Sequence, residues 1–156
     1  MTQAPGLGTQ LRHLIASLDG DVQQIYAALG EPFRPRFFPI VQSLLRHGAC
    51  GVNALARATG VTQPAATQTL AEMAKLGLIA FSPGRDRRER KAELTDEGRR
   101  LAERLGSVWD AVEGAAAELD AELPSPLSAT LAGALAALDR TPFRERVERR
   151  MRHGQA

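Results

Sequence analysis

Apolar residues recur along this chain at intervals of three and four, with one interruption near the middle. Leu7, Leu11, Leu14, Leu18, Val22, Ile25 and Leu29 form a single stripe, which predicts a long first helix stopped by Gly30. Gly20, between Asp19 and Asp21, weakens that helix by about 1 kcal/mol and marks a point where it can bend. Pro35 opens a second helix running through Phe38, Ile40, Val41, Leu44 and Leu45 to Gly48. A short third helix, Val52–Thr59, ends at Gly60, and Thr62 followed by Gln63 and Pro64 caps a fourth that reaches Lys75. The interruption follows. Leu78–Ser82 and Arg90–Leu94 bracket a charged tip containing Pro83-Gly84, the pattern of a hairpin.

Beyond the hairpin the helical spacing resumes. Thr95 caps a long helix whose stripe is Leu101, Leu105, Val108, Val112, Ala115 and Leu119, spaced 4-3-4-3-4 like a coiled-coil seam. Ser125-Pro126 starts another helix through Leu127, Leu131, Leu135 and Leu138, and Thr141-Pro142 starts the last, with Phe143, Val147 and Met151 on one side. The terminal helices carry apolar faces with no further sheet or domain to cover them. Isologous pairing with a second copy is the commonest way to bury such faces, so a homodimer is expected, using Leu11, Leu101, Leu105 and Leu131.

Length and composition narrow the picture. A chain of 156 residues with 44% apolar content suits one integrated globular domain. No apolar run approaches the ~18 residues of a membrane span, and Met1–Thr9 lacks the layout of a secretory signal. A soluble cytoplasmic protein without membrane partners is expected. The net charge is only +2, but its distribution is uneven: Arg85–Lys91 holds four arginines and a lysine against Asp86 and Glu89, and Arg140–Arg152 is a second basic run. Arginine suits forked contacts with phosphate and guanine.

Chemistry-bearing groups are sparse. Cys50 is the single cysteine, so no intrachain disulfide forms; with His47 it makes an H-x-x-C pair that no second His/Cys cluster completes into a metal site. An ordinary loop cysteine is the simplest account, with redox sensing as the alternative. No Ser/His/Asp or Cys/His arrangement, phosphate-binding glycine loop or clustered carboxylates stand at usable spacing. Neither an enzyme nor a cofactor is expected.

The informative window is Leu55-Ala-Arg-Ala-Thr-Gly-Val-Thr62 and its continuation to Leu70. Ala56 is small where two helices must cross, Gly60 can take a left-handed turn, and Val61 is expected to plug the corner. Helical spacing turns Leu55, Ala66, Leu70 and Met73 inward. It turns Pro64, Gln68, Ala71 and Lys75 outward, with Thr67 at the flank. Small and amide residues at the start of such a helix suit base edges, and Gln68 can pair two-fold with adenine. The expected fold class is therefore mainly α with a small β-hairpin wing: a winged helix-turn-helix flanked by N- and C-terminal dimerisation helices. Residues 1–30 form the first dimerisation helix, 31–95 the DNA-binding lobe and 96–156 the C-terminal dimerisation helices. The candidate DNA-binding residues are Thr62, Gln63, Pro64, Thr67, Gln68 and Lys75, with Arg85, Arg87, Arg88 and Arg90 at a wing tip suited to a minor groove or to phosphates. The competing account is a winged-helix module for protein contact or dimerisation; it favours a wing poor in arginine, which this one is not.

The sequence resembles the MarR family of bacterial regulators. Thr62-Gln-Pro-Ala-Ala-Thr-Gln-Thr-Leu70, Leu76-Gly-Leu-Ile79, Asp86-Arg-Arg88 and Leu94-Thr-Asp-Glu-Gly98 carry the resemblance, which extends over about Gly30–Leu119. It implies a triangular dimer built from the first and last long helices, with recognition helices in adjacent major grooves of double-stranded DNA. It also implies that Asp86 holds Arg88 by a salt bridge while Arg85 or Arg87 reaches into the minor groove. Two departures stand out: Gln68 where many relatives carry arginine, and Ala92 where a larger apolar residue is usual, which implies a looser wing. Cys50 does not match the cysteine of peroxide-sensing relatives, so redox sensing is not carried over.

Such regulators, often repressors, frequently hold a small aromatic or anionic effector. Pro32–Phe38 is the candidate segment for it, with Phe33, Phe37 and Phe38 beside Arg34 and Arg36. Two arginines near a helix N-terminus oppose its dipole and call for an anionic partner. That partner is a ligand carboxylate, an acidic side chain or a DNA phosphate. Tyr26 and Trp109 line the same space or belong to the core.

Overall fold

The computed structural model describes residues 5–84 and 90–153. Helix α1 spans Leu7–Ala28 and passes Gly20 without a break. A 3-10 turn, Pro35–Phe37, leads into α2, Phe38–His47. Strand β1, Cys50–Gly51, runs into α3, Val52–Thr59, and α4 covers Gln63–Lys75. Strands β2, Ile79–Pro83, and β3, Arg90–Leu94, precede α5, Asp96–Glu122; α6, Leu127–Arg140, and α7, Phe143–His153, complete the chain. The sheet is antiparallel in the order β1-β3-β2, with Cys50 opposite Ala92 and Phe81 opposite Ala92 from the other side. Cys50 therefore sits in a strand and not in the expected loop. Two residues are too few to show alternation, so β1 left no pattern in the sequence.

The chain divides into two compact units, one reaching to Gly106 and one beginning at Ser107. The first owns the buried core. Tyr26, Phe33 and Phe37 meet edge to face, with centroids 5.1 and 5.6 Å apart, and Ile40, Leu44, Leu55, Leu70, Met73 and Leu78 are buried as well. Leu101 and Leu105 are 1% exposed in the single chain. They correct the dimer expectation: both are already spent inside the protomer and have almost no surface left for a partner.

Two devices lock the start of α5. The Thr95 hydroxyl accepts from the Gly98 amide at 3.0 Å as a helix cap and donates to the Gly77 carbonyl at 2.6 Å. Gly98 itself lies against β2's approach: a Cβ there would stand 2.1 Å from the Leu78 carbonyl oxygen. Only glycine permits that contact.

Polar contacts tie neighbouring helices of the second unit. The Asp120 carboxylate accepts from the Ser128 amide at 3.1 Å and from its hydroxyl. These bonds hold its carboxyl below the ordinary range. The Arg146 guanidinium donates to the Ala137 and Thr141 carbonyls at 2.9 and 3.0 Å, capping the end of α6. No described residue of this unit is buried.

Candidate nucleic-acid interface

The pair α3–α4 is joined by the three-residue connection Gly60–Thr62. Gly60 takes φ 69°, a left-handed conformation, and the Val61 amide reaches back to the Ala56 carbonyl at 3.1 Å, closing α3. Val61 is itself exposed, so it does not plug the corner; the backbone bond and the buried Leu55 and Ala56 define the turn. Thr62 then caps α4, its hydroxyl accepting from the Ala65 amide at 3.4 Å, and Pro64 occupies the first turn.

Along α4 the two faces separate as the spacing predicts. Ala66, Thr69, Leu70 and Met73 are buried, whereas Gln63, Pro64, Thr67, Gln68, Ala71 and Lys75 are exposed. The Thr67 and Thr69 hydroxyls donate to the carbonyls of Gln63 and Ala65 at 2.9 and 3.0 Å. The outward face is thus small and amide-bearing at its start and cationic at its end.

The wing strands leave α4 directly. The Arg90 guanidinium lies 4.2 Å over the Phe81 ring, so one arginine of the hairpin is held by a cation–π contact at its base. Ala92 is buried on the central strand between Cys50 and Phe81. Arg85, Asp86, Arg87 and Arg88 lie outside the described residues.

The candidate effector residues fall into three places. Tyr26, Phe33 and Phe37 form the aromatic cluster of the core. Trp109 is half-buried in the second unit. Arg34 and Arg36 are exposed and both find Glu72 on α4: Arg34 Nε lies 2.8 Å from Oε1, and Arg36 donates to Oε2. Of the three partners weighed for these arginines, an acidic side chain is the one in place. A shallow depression elsewhere in the first unit is lined by Leu45, Arg99, Ala102 and Glu103.

A second ion network escaped the sequence reading. Arg104 of α5 makes a forked contact with Glu31, at 2.8 and 3.1 Å, and reaches Glu97 at 3.3 Å. Hydrogen bonds from Arg104 hold the Glu31 carboxyl below the ordinary range, those from Arg100 and Arg104 do the same for Glu97, and the Arg104 guanidinium is raised in return. Partners 73 residues apart leave no local signal. Glu72 did leave one, since it is the lone acidic residue between Gln63 and Lys75.

Residues 38–89 match the family model described as the MarR family. The chain is similar to that family over these residues. No curated protein matches it in sequence. Solved structures with the same winged-helix fold include a Mycobacterium tuberculosis transcriptional regulator, MOSR, in complex with DNA. That likeness has a TM-score of 0.73 and 20% identity, over 89% of this chain and 100% of that one. The Staphylococcus aureus MepR–DNA complex gives 0.67 and 18%, over 88% and 98%. The Streptomyces coelicolor PcaV regulator in complex with its natural ligand gives 0.64 and 17%, over 90% and 99%. No described helix is long and apolar enough to cross a membrane, and no described group of His, Cys, Asp or Glu could hold a metal ion.

Proposed function

We propose that this protein is a sequence-specific DNA-binding transcriptional regulator that acts as a homodimer in the cytoplasm and has no catalytic activity. One observation carries the reading: α4 presents Gln63, Pro64, Thr67, Gln68, Ala71 and Lys75 on a single exposed face, immediately before a two-stranded wing. A helix of that character fits a major groove, and base edges there are read by amides such as Gln68. The match to the MarR family and the DNA complexes of MOSR and MepR support it.

The homodimer is supported by the exposed apolar faces of α1 and α6, among them Leu7, Ile15, Leu18, Leu135 and Leu138. A small-molecule effector is supported by the ligand complexes of PcaV and of NadR, the latter with 4-hydroxyphenylacetate.

Selection from a random duplex library should return a near-palindrome with half-sites about one helical turn apart. Gln68→Ala should then cost roughly 1–3 kcal/mol in affinity and relax preference at one base pair per half-site. Enrichment of no sequence would overturn the reading and leave a winged-helix interaction module.

A further inference from the structure

Glu72 is an unfavourable residue to find on a helix that faces DNA. A carboxylate one turn beyond Gln68 repels phosphate, and α4 carries no other acid. Its surroundings give it a different use. Arg34 and Arg36 flank Pro35 in the short turn before α2, and each claims one oxygen of the Glu72 carboxylate. The turn is a firm base: proline restricts its φ, Phe37 is wholly buried, and the Arg36 guanidinium also lies 6.0 Å over the Phe37 ring. Glu72 is half-buried at the flank of α4, between the outward Gln68 and the inward Thr69 and Met73. A tether there resists rolling of the helix about its own axis.

Exposed ion pairs contribute little to folding, so stability is a weak reason for the cluster. Orientation is a stronger one, because paired contacts to a base edge require placement within about 0.5 Å. The cluster also occupies two cations that would otherwise be free beside α4, where they would bind phosphate of any sequence.

We propose that Glu72 is a positioning residue for DNA specificity: by gathering Arg34 and Arg36 it sets the roll of α4 and keeps both arginines from engaging phosphate indiscriminately. This rests on the DNA-binding reading above. Simple electrostatics makes a different forecast, since losing an anion should tighten binding to every duplex alike.

The test uses the whole chain, the duplex that the wild type selects from a random library, and a scrambled duplex of equal length. Glu72→Gln should bind the scrambled duplex more tightly, with a salt slope steeper by up to about 0.9 for each arginine freed onto phosphate. The ratio of selected to scrambled affinity should fall by about tenfold, the scale of one misplaced base contact. Adding Arg34→Gln and Arg36→Gln should abolish the gain on scrambled DNA without restoring the ratio. Equal tightening on both duplexes would overturn the proposal, as would an unchanged ratio. So would weakening on both with a lowered melting temperature, which marks a purely structural role. A wild type that discriminates beside a Glu72→Gln that discriminates equally defeats only the role of Glu72. A wild type that does not discriminate at all defeats the DNA reading itself.

Discussion

Leu101 and Leu135 both lie on helical stripes of leucine, yet the first is 1% exposed and the second 64%. The difference holds across the two units. Up to Gly106 the chain buries a core that includes Tyr26, Phe33, Phe37, Leu70, Leu101 and Leu105, although Leu7, Ile15 and Leu18 of α1 stay exposed; from Ser107 no described residue is buried although Leu131, Leu138, Phe143 and Met151 are available. Fully burying one leucine contributes roughly 1.5–3 kcal/mol. The second unit therefore carries apolar surface whose stabilising effect waits on something outside the chain, and a second copy is the proposed occupant. The first unit owns a core of its own, into which α4 sends Ala66, Leu70 and Met73.

Three changes would break or sharpen that contrast. The largest effect belongs to Gly98→Ala, which forces a methyl group into the Leu78 carbonyl and parts α5 from the sheet. It should destabilise the first unit by about 3 kcal/mol, at the high end of overpacking costs, as a lowered denaturation midpoint. A midpoint within error of wild type would mean that α5 is free to shift away from the strand.

Leu135→Gln should act on assembly and not on the first unit. Dimerisation should weaken at least about tenfold, or 1.4 kcal/mol, in sedimentation across a concentration series, while monomer fluorescence and helicity hold. Unaltered assembly would place the interface elsewhere.

The smallest effect concerns Glu31, whose carboxyl is held below the ordinary range chiefly by hydrogen bonds from Arg104, against the opposing push of burial. A folded pKa below the unfolded one means stability present at neutral pH and lost as pH falls through the folded value. Glu31→Gln should be less stable than wild type near neutrality, and the two denaturation curves should converge in acid. A gap that persists in acid would assign the loss to packing instead of charge.

Much of the helix-turn-helix and its wing strands was legible in the sequence, because their signals are local. Gly60 and Thr62 mark a turn and a cap through their own backbone and side-chain preferences, and the faces of α4 follow from a period of 3.6. Both hairpin strands fell within a residue of expectation. Periodicity states that a face is apolar but not what covers it, which is why Leu101 and Leu105 looked like dimer contacts and proved to be core. The pairing of β1 with β3, the fork of Arg104 on Glu31, the convergence of Arg34 and Arg36 on Glu72, and the contact of Gly98 with Leu78 join segments far apart in sequence. Such contacts depend on how elements meet in space, and no spacing along one element encodes them.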